Sequence, residues 1–138
     1  MLESKHAIGN HTFNHLNGWT TKTADYLHNV ELYEELVKKV DAQKKTTMLF
    51  RPPYGRITRS QIRSLNRYNI VMWDVLSHDY SKNVSAEVCL RKTIKATRPG
   101  SILVFHDSFK AEKNLVYALP RLIDHFAEKG YVFKAIDP

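Results

Sequence analysis

The sequence has one cysteine, no long apolar run and no leader-like segment, and each of these absences excludes a class of protein. Cys89 is the single cysteine among 138 residues, so no disulfide can form within the chain. No apolar run approaches the roughly 20 residues that a membrane-spanning helix needs. The first residues, MLESKHAIG, lack the apolar core of a secretory signal. The sequence therefore predicts no transmembrane segment and leaves the compartment unknown.

The composition is that of an ordinary globular protein, with 43% hydrophobic and 25% charged residues. The length suits a single domain over 1–138. A net charge of +7 raises the question of nucleic-acid binding, because four arginines recur at helical spacing: Arg56, Arg59, Arg63 and Arg67. Such a stripe is more often a solvated helix face, so we predict no nucleic-acid partner.

Apolar periodicity predicts strands that alternate with amphipathic helices. Helices are predicted over 24–43, 58–68, 86–97 and 119–130, and strands over 6–12, 46–50, 69–75, 101–105 and 131–137. Thr58 and Ser85 are predicted N-caps, and Pro120 is placed near the first turn of the last helix. Continuous apolar strands between amphipathic helices indicate a parallel α/β sheet, either open or closed into a barrel.

Polar residues with chemical capability cluster where these strands end: His11, His15, Arg51, Asp79, His106 and Asp107. In parallel α/β folds the carboxyl ends of the strands line the active-site face. Four separate segments therefore direct polar chemistry to one edge of the sheet.

The stretch NHTFNH places His11 and His15 four residues apart. On one helical turn this spacing brings two imidazoles onto one face, which suits Zn²⁺ or a similar ion. By spacing alone, a capping or core histidine pair is the commoner arrangement. Thr12 and Asn14 can supply hydrogen bonds around the pair.

The stretch FRPPYG is a strand end that runs into a rigid turn. Its two prolines fix φ, while Tyr54 and Gly55 keep backbone N–H groups suited to an oxyanion hole. Arg51 places a permanent cation beside the turn and can orient a carboxylate. A surface turn with a solvated arginine is the ordinary alternative.

The stretch LVFHD ends an apolar strand with His106, a candidate general acid or base. A satisfied core histidine is the alternative. WDVLSHDY offers Asp74 and Asp79 as carboxylates that raise the pKa of a neighbouring histidine.

Taken in order, these segments resemble the polysaccharide deacetylase family (NodB homology domain, carbohydrate esterase family four). HTFNH matches the motif His-[Ser/Thr]-x-x-His, RPPYG matches Arg-x-Pro-[Tyr/Phe]-Gly, LVFHD matches Leu-x-x-His, and SHDY fits the second half of Asp-[Ser/Thr]-x-Asp-[Trp/Tyr]. The resemblance implies an α/β fold, an incomplete, distorted (β/α) barrel of the polysaccharide deacetylase type with its first strand or strands missing. It also implies removal of N- or O-acetyl groups from an acetylated polysaccharide or oligosaccharide.

The same resemblance implies catalytic roles for matched residues. His11 and His15 would be metal ligands, for zinc first and cobalt or nickel as substitutes, with a bound water as nucleophile. Arg51 would orient the catalytic base. His106 would protonate the leaving amine or alcohol, and Asp79 would tune it.

The implied substrate contacts come from four further residues. The Tyr54 N–H would hold the oxyanion, and Leu103 would line the pocket for the acetyl methyl group. Pro52 and Trp73 complete this set, although a core position is the commoner one for a tryptophan such as Trp73.

Two departures from the family pattern bear on activity. Leu76 stands where the motif's first acid is expected, and Asp74 is the nearest substitute. No Thr-Phe-Asp-Asp-Gly segment is present, although this segment supplies the base and the third metal ligand in the family. We therefore expect a truncated domain, a weak or absent metal, a poor catalyst, and pairing of chains through exposed sheet edges. A non-catalytic carbohydrate-binding or interaction module derived from the same fold is the competing hypothesis.

Overall fold

The computed structural model describes residues 8–40 and 47–136 as four helices, four short strands and one 3₁₀ turn. In chain order these are α1 (Thr23–Val40), β1 (Leu49–Phe50), the 3₁₀ turn (Pro53–Gly55), α2 (Arg59–Ser64), β2 (Asn69–Ile70), β3 (Val75–Leu76), α3 (Ala86–Ala96), β4 (Leu103–Val104) and α4 (Glu112–Glu128). The chain divides into two compact units, Met1–Met72 with Ala135–Pro138, and Trp73–Lys134.

The first unit is organised around the parallel pair β1–β2, in which Leu49 lies opposite Asn69 and Phe50 opposite Ile70. Phe50 is fully buried between Tyr26 of α1 and Tyr68, with ring centroids 6.2 Å and 5.7 Å away. Val30 follows Tyr26 by four residues and therefore lies on the same face of α1, inside the core. Tyr26 and Val30 are thus the residues of α1 that pack with Phe50, whereas Leu36 and Val40 farther along the helix are exposed.

The second unit contains the parallel pair β3–β4, in which Val75 lies opposite Leu103 and Leu76 opposite Val104. α3 packs against α4 and against β3. Ser85 caps α3 as predicted, because its hydroxyl oxygen accepts a hydrogen bond from the Val88 N–H at 3.3 Å. Leu122 and Phe126 of α4 are buried at i, i+4 spacing.

The apolar run 69–75, predicted as one strand, forms parts of two pairs. The Val71 N–H donates to the Phe50 carbonyl oxygen at 2.8 Å, whereas the Asp74 and Val75 N–H groups donate to the carbonyl oxygen of Ile102 at 3.3 Å. The run changes its hydrogen-bonding partner midway, so the segment between β2 and β3 is not a strand. The single-strand prediction was wrong for this reason.

Two other boundaries differ from the prediction. α4 begins at Glu112, so Pro120 lies inside the helix rather than in its first turn. Pro120 is exposed, which places its ring away from the packed face. The strand predicted over 131–137 is absent from residues 131–136, where Val132 and Phe133 are exposed and no partner strand is described. Residue 137, like the predicted helix end at 41–43 and the strand residues 6–7 and 46, lies outside the described residues.

Candidate functional site

The loop that carries the two histidines is fixed to β1 through Asn10. Asn10 forms a parallel bridge with Phe50, donates its N–H to the Leu49 carbonyl oxygen at 2.8 Å, and is almost fully buried. Its side-chain amide donates to the Val30 carbonyl oxygen at 2.9 Å, and its Oδ1 accepts from the Thr12 N–H at 2.9 Å. Asn10 therefore holds the start of the histidine loop against both β1 and α1.

His11 and His15 lie side by side, with ring centroids 4.9 Å apart and ring planes at 72°. The helical turn assumed from their spacing was wrong, because residues 11–15 are not helical. Instead Thr12 and His15 adopt positive φ values of 59° and 55°, and these left-handed residues bend the chain until the rings meet. The Thr12 hydroxyl oxygen accepts the Leu16 N–H at 3.1 Å and stabilises the bend.

The His11 ring is oriented by the backbone of the next predicted motif. Its Nδ1–H donates to the carbonyl oxygen of Arg51. Since a carbonyl oxygen only accepts, this contact assigns the proton to Nδ1, and Nε2 then carries the lone pair of the neutral ring. A histidine held this way by a backbone carbonyl has the arrangement usual for metal-ligating histidines.

The RPPYG turn is rigid and partly buried. Pro52 and Pro53 are fully buried, and the Gly55 N–H donates to the Pro52 carbonyl oxygen at 3.0 Å. Tyr54 has a φ of 58°, which is strained for a side-chain-bearing residue and turns its backbone out of the regular 3₁₀ path. Within residues 8–40 and 47–136, no acceptor takes a hydrogen bond from the Tyr54 N–H, whereas the Gly55 N–H closes the turn.

Tyr54 and Arg51 surround the histidine pair. The exposed Tyr54 ring packs edge-on against His15, with centroids 4.6 Å apart. The Arg51 N–H donates to the Asn10 carbonyl oxygen at 3.0 Å, and burial lowers the pKa of its half-buried guanidinium. The first unit thus gathers His11, His15, Arg51 and Tyr54 in one place, as the motifs predict.

These residues fit a divalent metal ion as part of its coordination. Two adjacent imidazoles are suitable donors for zinc, cobalt or nickel, and Nε2 is the His11 nitrogen that the contact with Arg51 does not use. Among the described residues no group of three or more His, Cys, Asp or Glu side chains joins into a complete metal site. The fit is therefore to a two-histidine portion of a site.

The second unit contains a tightly bonded Asp79–His106 pair. The His106 Nδ1–H donates to Asp79 Oδ1 at 2.8 Å, and the His106 backbone N–H donates to Oδ2 at 2.7 Å. Asp79 is fully buried and follows β3, while His106 is partly exposed just after β4. Because Nδ1 is bonded to the carboxylate, Nε2 is the His106 ring nitrogen that this contact does not use.

Asp79 is ionised although it is buried. Burial alone pushes the pKa of its carboxyl up, but hydrogen bonds from the His106 ring, the His106 backbone and Ser77, together with the charge of His106, outweigh burial and lower it. Asn114 of α4 adds a further anchor, because its amide donates to the Asp79 carbonyl oxygen at 2.9 Å. The pair is therefore fixed from β3, β4 and α4.

Cys89 is buried against the same loop. Its thiol donates to the Ser77 carbonyl oxygen at 3.3 Å, and burial together with the nearby Asp79 raises the pKa of the thiol. A protonated, buried thiol is a packing group rather than a nucleophile.

Asp74 does not replace the missing first acid of its motif. It is exposed and accepts hydrogen bonds from the Ser101 hydroxyl at 2.8 Å and the Ile102 N–H at 2.7 Å. These bonds lower the pKa of Asp74 and tie it to the turn before β4. Its expected compensating role beside a histidine was wrong, because its carboxylate stabilises this turn. Leu103 and Trp73 are both half-buried in the second unit, and their substrate roles stay predictions.

Two residues around the two sites, Asn10 and Asn114, had no sequence signal strong enough to single them out, and a third, Tyr80, was present only as the last position of the SHDY match. Tyr80 packs edge-on against His106 with centroids 4.8 Å apart, and its N–H donates to Asp79 Oδ1 at 3.1 Å. Asn10 and Asn114 act through contacts to distant backbone groups, which spacing along the chain does not reveal. The tyrosine beside Asp79 in SHDY is the one signal that pointed here.

The arginine stripe proposed from spacing is interrupted. Arg59 and Arg63 lie on α2, but Arg56 precedes the helix and stacks over Trp19 at 5.0 Å. Arg67 follows the helix and makes two hydrogen bonds to Glu34 at 2.8 Å and 2.9 Å. The four guanidinium groups therefore do not form one helical face. Among the described helices, none is long and apolar enough to cross a membrane.

Comparison with known proteins places these motifs in a family. The polysaccharide deacetylase profile matches residues 1–73. The chain is 31% identical over 142 residues to the peptidoglycan N-acetylmuramic acid deacetylase PdaA of Bacillus subtilis (strain 168), covering 99% of this chain and 52% of that protein. The chain spans about half the length of the curated relatives it matches.

Solved structures agree with this assignment. A peptidoglycan N-acetylglucosamine deacetylase, Bc1960, matches with a TM-score of 0.87 and 28% identity over 96% of this chain and 62% of that one. A carbohydrate esterase family 4 pseudoenzyme of Bacillus anthracis has the same fold, with a TM-score of 0.81 and 21% identity over 94% of this chain and 44% of that one. The deacetylase barrel fold class predicted from the motifs is confirmed by the likeness to Bc1960. With a profile match over half of its residues, the chain belongs to the polysaccharide deacetylase family.

Proposed function

We propose that the chain carries the chemistry of a metal-dependent deacetylase that removes N- or O-acetyl groups from a polysaccharide or oligosaccharide. The observation that carries the proposal is the adjacent His11–His15 pair, with His11 oriented by the Arg51 carbonyl oxygen. Relatives that are named as peptidoglycan deacetylases support the reaction class. A sugar polymer with acetyl groups is the proposed substrate.

His11 and His15 would hold the divalent ion, with zinc as the first choice and cobalt or nickel as substitutes. When bound, such an ion polarises the acetyl carbonyl and lowers the pKa of a bound water. The Tyr54 N–H, which the 3₁₀ turn does not use, donates to the oxyanion that develops on the acetyl group. Leu103 contacts the acetyl methyl group, and Pro52 keeps the turn rigid.

His106 supplies the proton that the leaving nitrogen or oxygen needs. Its Nδ1–H is held by Asp79, which leaves Nε2 as the ring nitrogen that would carry this proton to the leaving group. The ionised Asp79 contributes a fixed negative charge at a buried position. This is the role of an orienting carboxylate beside a general acid.

The proposal includes slow turnover for the 138 residues themselves. They contain no Asp-Asp segment to supply a base and a third metal ligand, and Arg51 is proposed to orient such a base. The second candidate function is a non-catalytic carbohydrate-binding or interaction module. It is favoured by the incomplete ligand set among the described residues and by the shared fold with a pseudoenzyme.

Acetate release from acetylated chitooligosaccharides in the presence of Zn²⁺ or Co²⁺ tests both functions. We expect slow release that falls at least tenfold in His11→Ala and in His106→Ala, since positioned acid–base groups typically contribute 10²- to 10⁴-fold. His28→Ala is the matched control, because His28 is an exposed histidine of α1. Release that is equal in all variants would contradict the catalytic roles, and rapid release by the unaltered chain would contradict the proposed impairment. Saturable oligosaccharide binding without any release would favour the non-catalytic module.

A further inference from the structure

The second unit contains an open cavity of about 500 Å³ that the deacetylation chemistry leaves without a role. It lies between the segment that leads into α3 and the first turn of α4. The residues that line it are mostly basic or hydrogen-bonding, and include Lys82, Lys110, Lys113, Ser81, Ser85 and Asn114. Its volume is within the range of small-ligand sites.

Three of the lining residues are lysines, and none of them forms an ion pair among the described residues. The salt bridges within 4.0 Å in the described part of the chain involve His28, Arg67 and His106, so none includes Lys82, Lys110 or Lys113. Like charges around one space repel one another unless an anion enters it. Such a cavity raises the local concentration of anionic ligands.

The nearby acid Glu87 supports this description of the field. Its pKa is lowered first by its own backbone N–H, then by Ser85, and also by the charge of Lys113. Glu87 is exposed and makes no ion pair with Lys113 within 4.0 Å. The positive charge of Lys113 therefore acts on the carboxylate of Glu87, which is not among the residues that line the cavity.

The wall of the cavity is continuous with the loop that holds Asp79. The Asn114 amide donates to the Asp79 carbonyl oxygen at 2.9 Å and to the Val84 carbonyl oxygen at 3.0 Å. Asn114 thus belongs both to the cavity and to the support of the Asp79–His106 pair. A ligand in the cavity contacts the same loop that orients the proposed general acid.

We propose that this lysine cavity binds an anionic group, a carboxylate or a phosphate, carried by the glycan ligand. The glycan part of the inference rests on the proposed function, whereas the anionic part rests on the three lysines. Lysine is a point charge that binds either anion without a fixed geometry. Neutral acetylated sugars give no reason for three lysines without an ion pair at one cavity.

Calorimetric titration of the whole chain tests the inference with oligosaccharides of equal length. One is a neutral N-acetylglucosamine oligomer, one carries carboxylates, one carries phosphates, and inorganic phosphate alone is included. The cavity variant is K82Q/K110Q/K113Q. The matched control is K92Q/K95Q/K129Q, which removes the same charge from exposed positions of the same unit.

We expect tighter binding of an anionic oligomer than of the neutral one, and a loss of about fivefold for each cavity lysine, the effect of roughly one unit-charge contact in water. The control variant should lose less than twofold, and the thermal midpoint of both variants should stay unchanged. The carboxylated and phosphorylated oligomers distinguish the two anion sources. If the cavity variant unfolds, the salt dependence of the unaltered chain still tests the inference. The preference of that chain for the anionic over the neutral oligomer should fall as salt increases.

Equal affinity for neutral and anionic oligomers would overturn the inference, as would equal losses in the two variants. Binding of inorganic phosphate without a preference between the oligomers would also overturn it. So would lysine-dependent binding of a single-stranded DNA oligonucleotide with an affinity equal to that of the anionic glycan. Acetate release separates this test from the proposed function. Lysine-dependent binding without acetate release would support the anion site and contradict deacetylation. Acetate release without lysine-dependent binding would support deacetylation and contradict the anion site.

Discussion

Asp79 has no solvent exposure, yet its contacts favour the ionised form by lowering the pKa of its carboxyl. Two bonds come from His106 alone, through Nδ1 and the backbone N–H. Because these bonds stabilise the carboxylate rather than the neutral acid, the pKa of Asp79 is lowered in the folded chain. One side chain thereby joins the ends of β3 and β4 and fixes the proposed general acid.

The pH dependence of stability follows from this lowered pKa. A carboxyl whose pKa is lower in the folded state stabilises the fold above its unfolded pKa, near the ordinary value of 3.8, and loses this contribution as the pH falls through the folded pKa. At neutral pH, Asp79→Asn should reduce the free energy of unfolding by about 1–3 kcal/mol, the cost of poorly satisfied buried partners. Denaturant unfolding of both proteins between pH 2 and 7 measures this, and the gap should shrink below about pH 4. A gap that widens in acid would contradict the assignment.

At the scale of elements, α2 is tied to the loop that follows the histidine pair. Thr58 caps it, since its hydroxyl oxygen accepts the Gln61 N–H at 3.3 Å while Gln61 Oε1 accepts the Thr58 N–H at 2.9 Å. The fully buried Gln61 also donates to the carbonyl oxygens of Gly18 and Thr21, at 2.9 Å and 3.2 Å. A capping box on a six-residue helix thus holds the loop that follows the histidine pair.

Removal of the Thr58 cap should lower the free energy of unfolding by a measurable amount. Thr58→Ala should lower the free energy of unfolding by about 1 kcal/mol, the usual value for loss of an N-cap hydroxyl. Thr58→Ser keeps the hydroxyl and is the matched control, with a change within about 0.5 kcal/mol. Denaturant titration of the three proteins provides the comparison. Equal losses in both variants would contradict a role for the hydroxyl.

The caps at Thr58 and Ser85 were predictable because they depend on residues three positions away. The helices were predictable from their apolar faces, and the motif order identified His11, His15, Arg51, Asp79 and His106. The backbone path that brings the two histidine rings together was not predictable from the sequence. It depends on positive φ at Thr12 and His15, which the folded loop imposes. No local pattern in HTFNH distinguishes this bend from a helical turn.

Tertiary hydrogen bonds account for the other differences. The run 69–75 reads as one strand from its composition, yet the partner of its backbone changes between Val71 and Asp74. Asp74 looks like a substitute acid in the sequence, but its carboxylate accepts hydrogen bonds from Ser101 and Ile102, which lie far along the chain. Contacts of this kind become visible only in the folded structure.

At the scale of the whole molecule, the short strands and the exposed apolar residues favour self-association. Each described sheet has two strands of two residues, too small to be stable by itself. Several large apolar side chains are exposed, including Phe109 at 98% and Val132 at 78%. Strand edges are templates for pairing between chains, and exposed apolar surface also favours association.

We therefore expect the isolated chain to form a homo-oligomer at high concentration. Light scattering coupled to size exclusion should give a mass that rises from one chain toward two as the loaded concentration increases. Moderate salt should leave this association intact, because its basis is apolar surface and backbone pairing rather than charge. A constant monomer mass up to millimolar concentration would contradict the expectation.

The proposed deacetylation chemistry depends on a metal ion at the histidine pair. The most direct measurement is calorimetric titration of the metal-free chain with Zn²⁺, in parallel with His11→Ala, His15→Ala and the control His28→Ala. The account predicts binding of about one equivalent by the unaltered chain and by the control, and loss of at least tenfold in affinity in each of the other two variants. Zinc binding of equal strength in all four proteins, or in none of them, would contradict it.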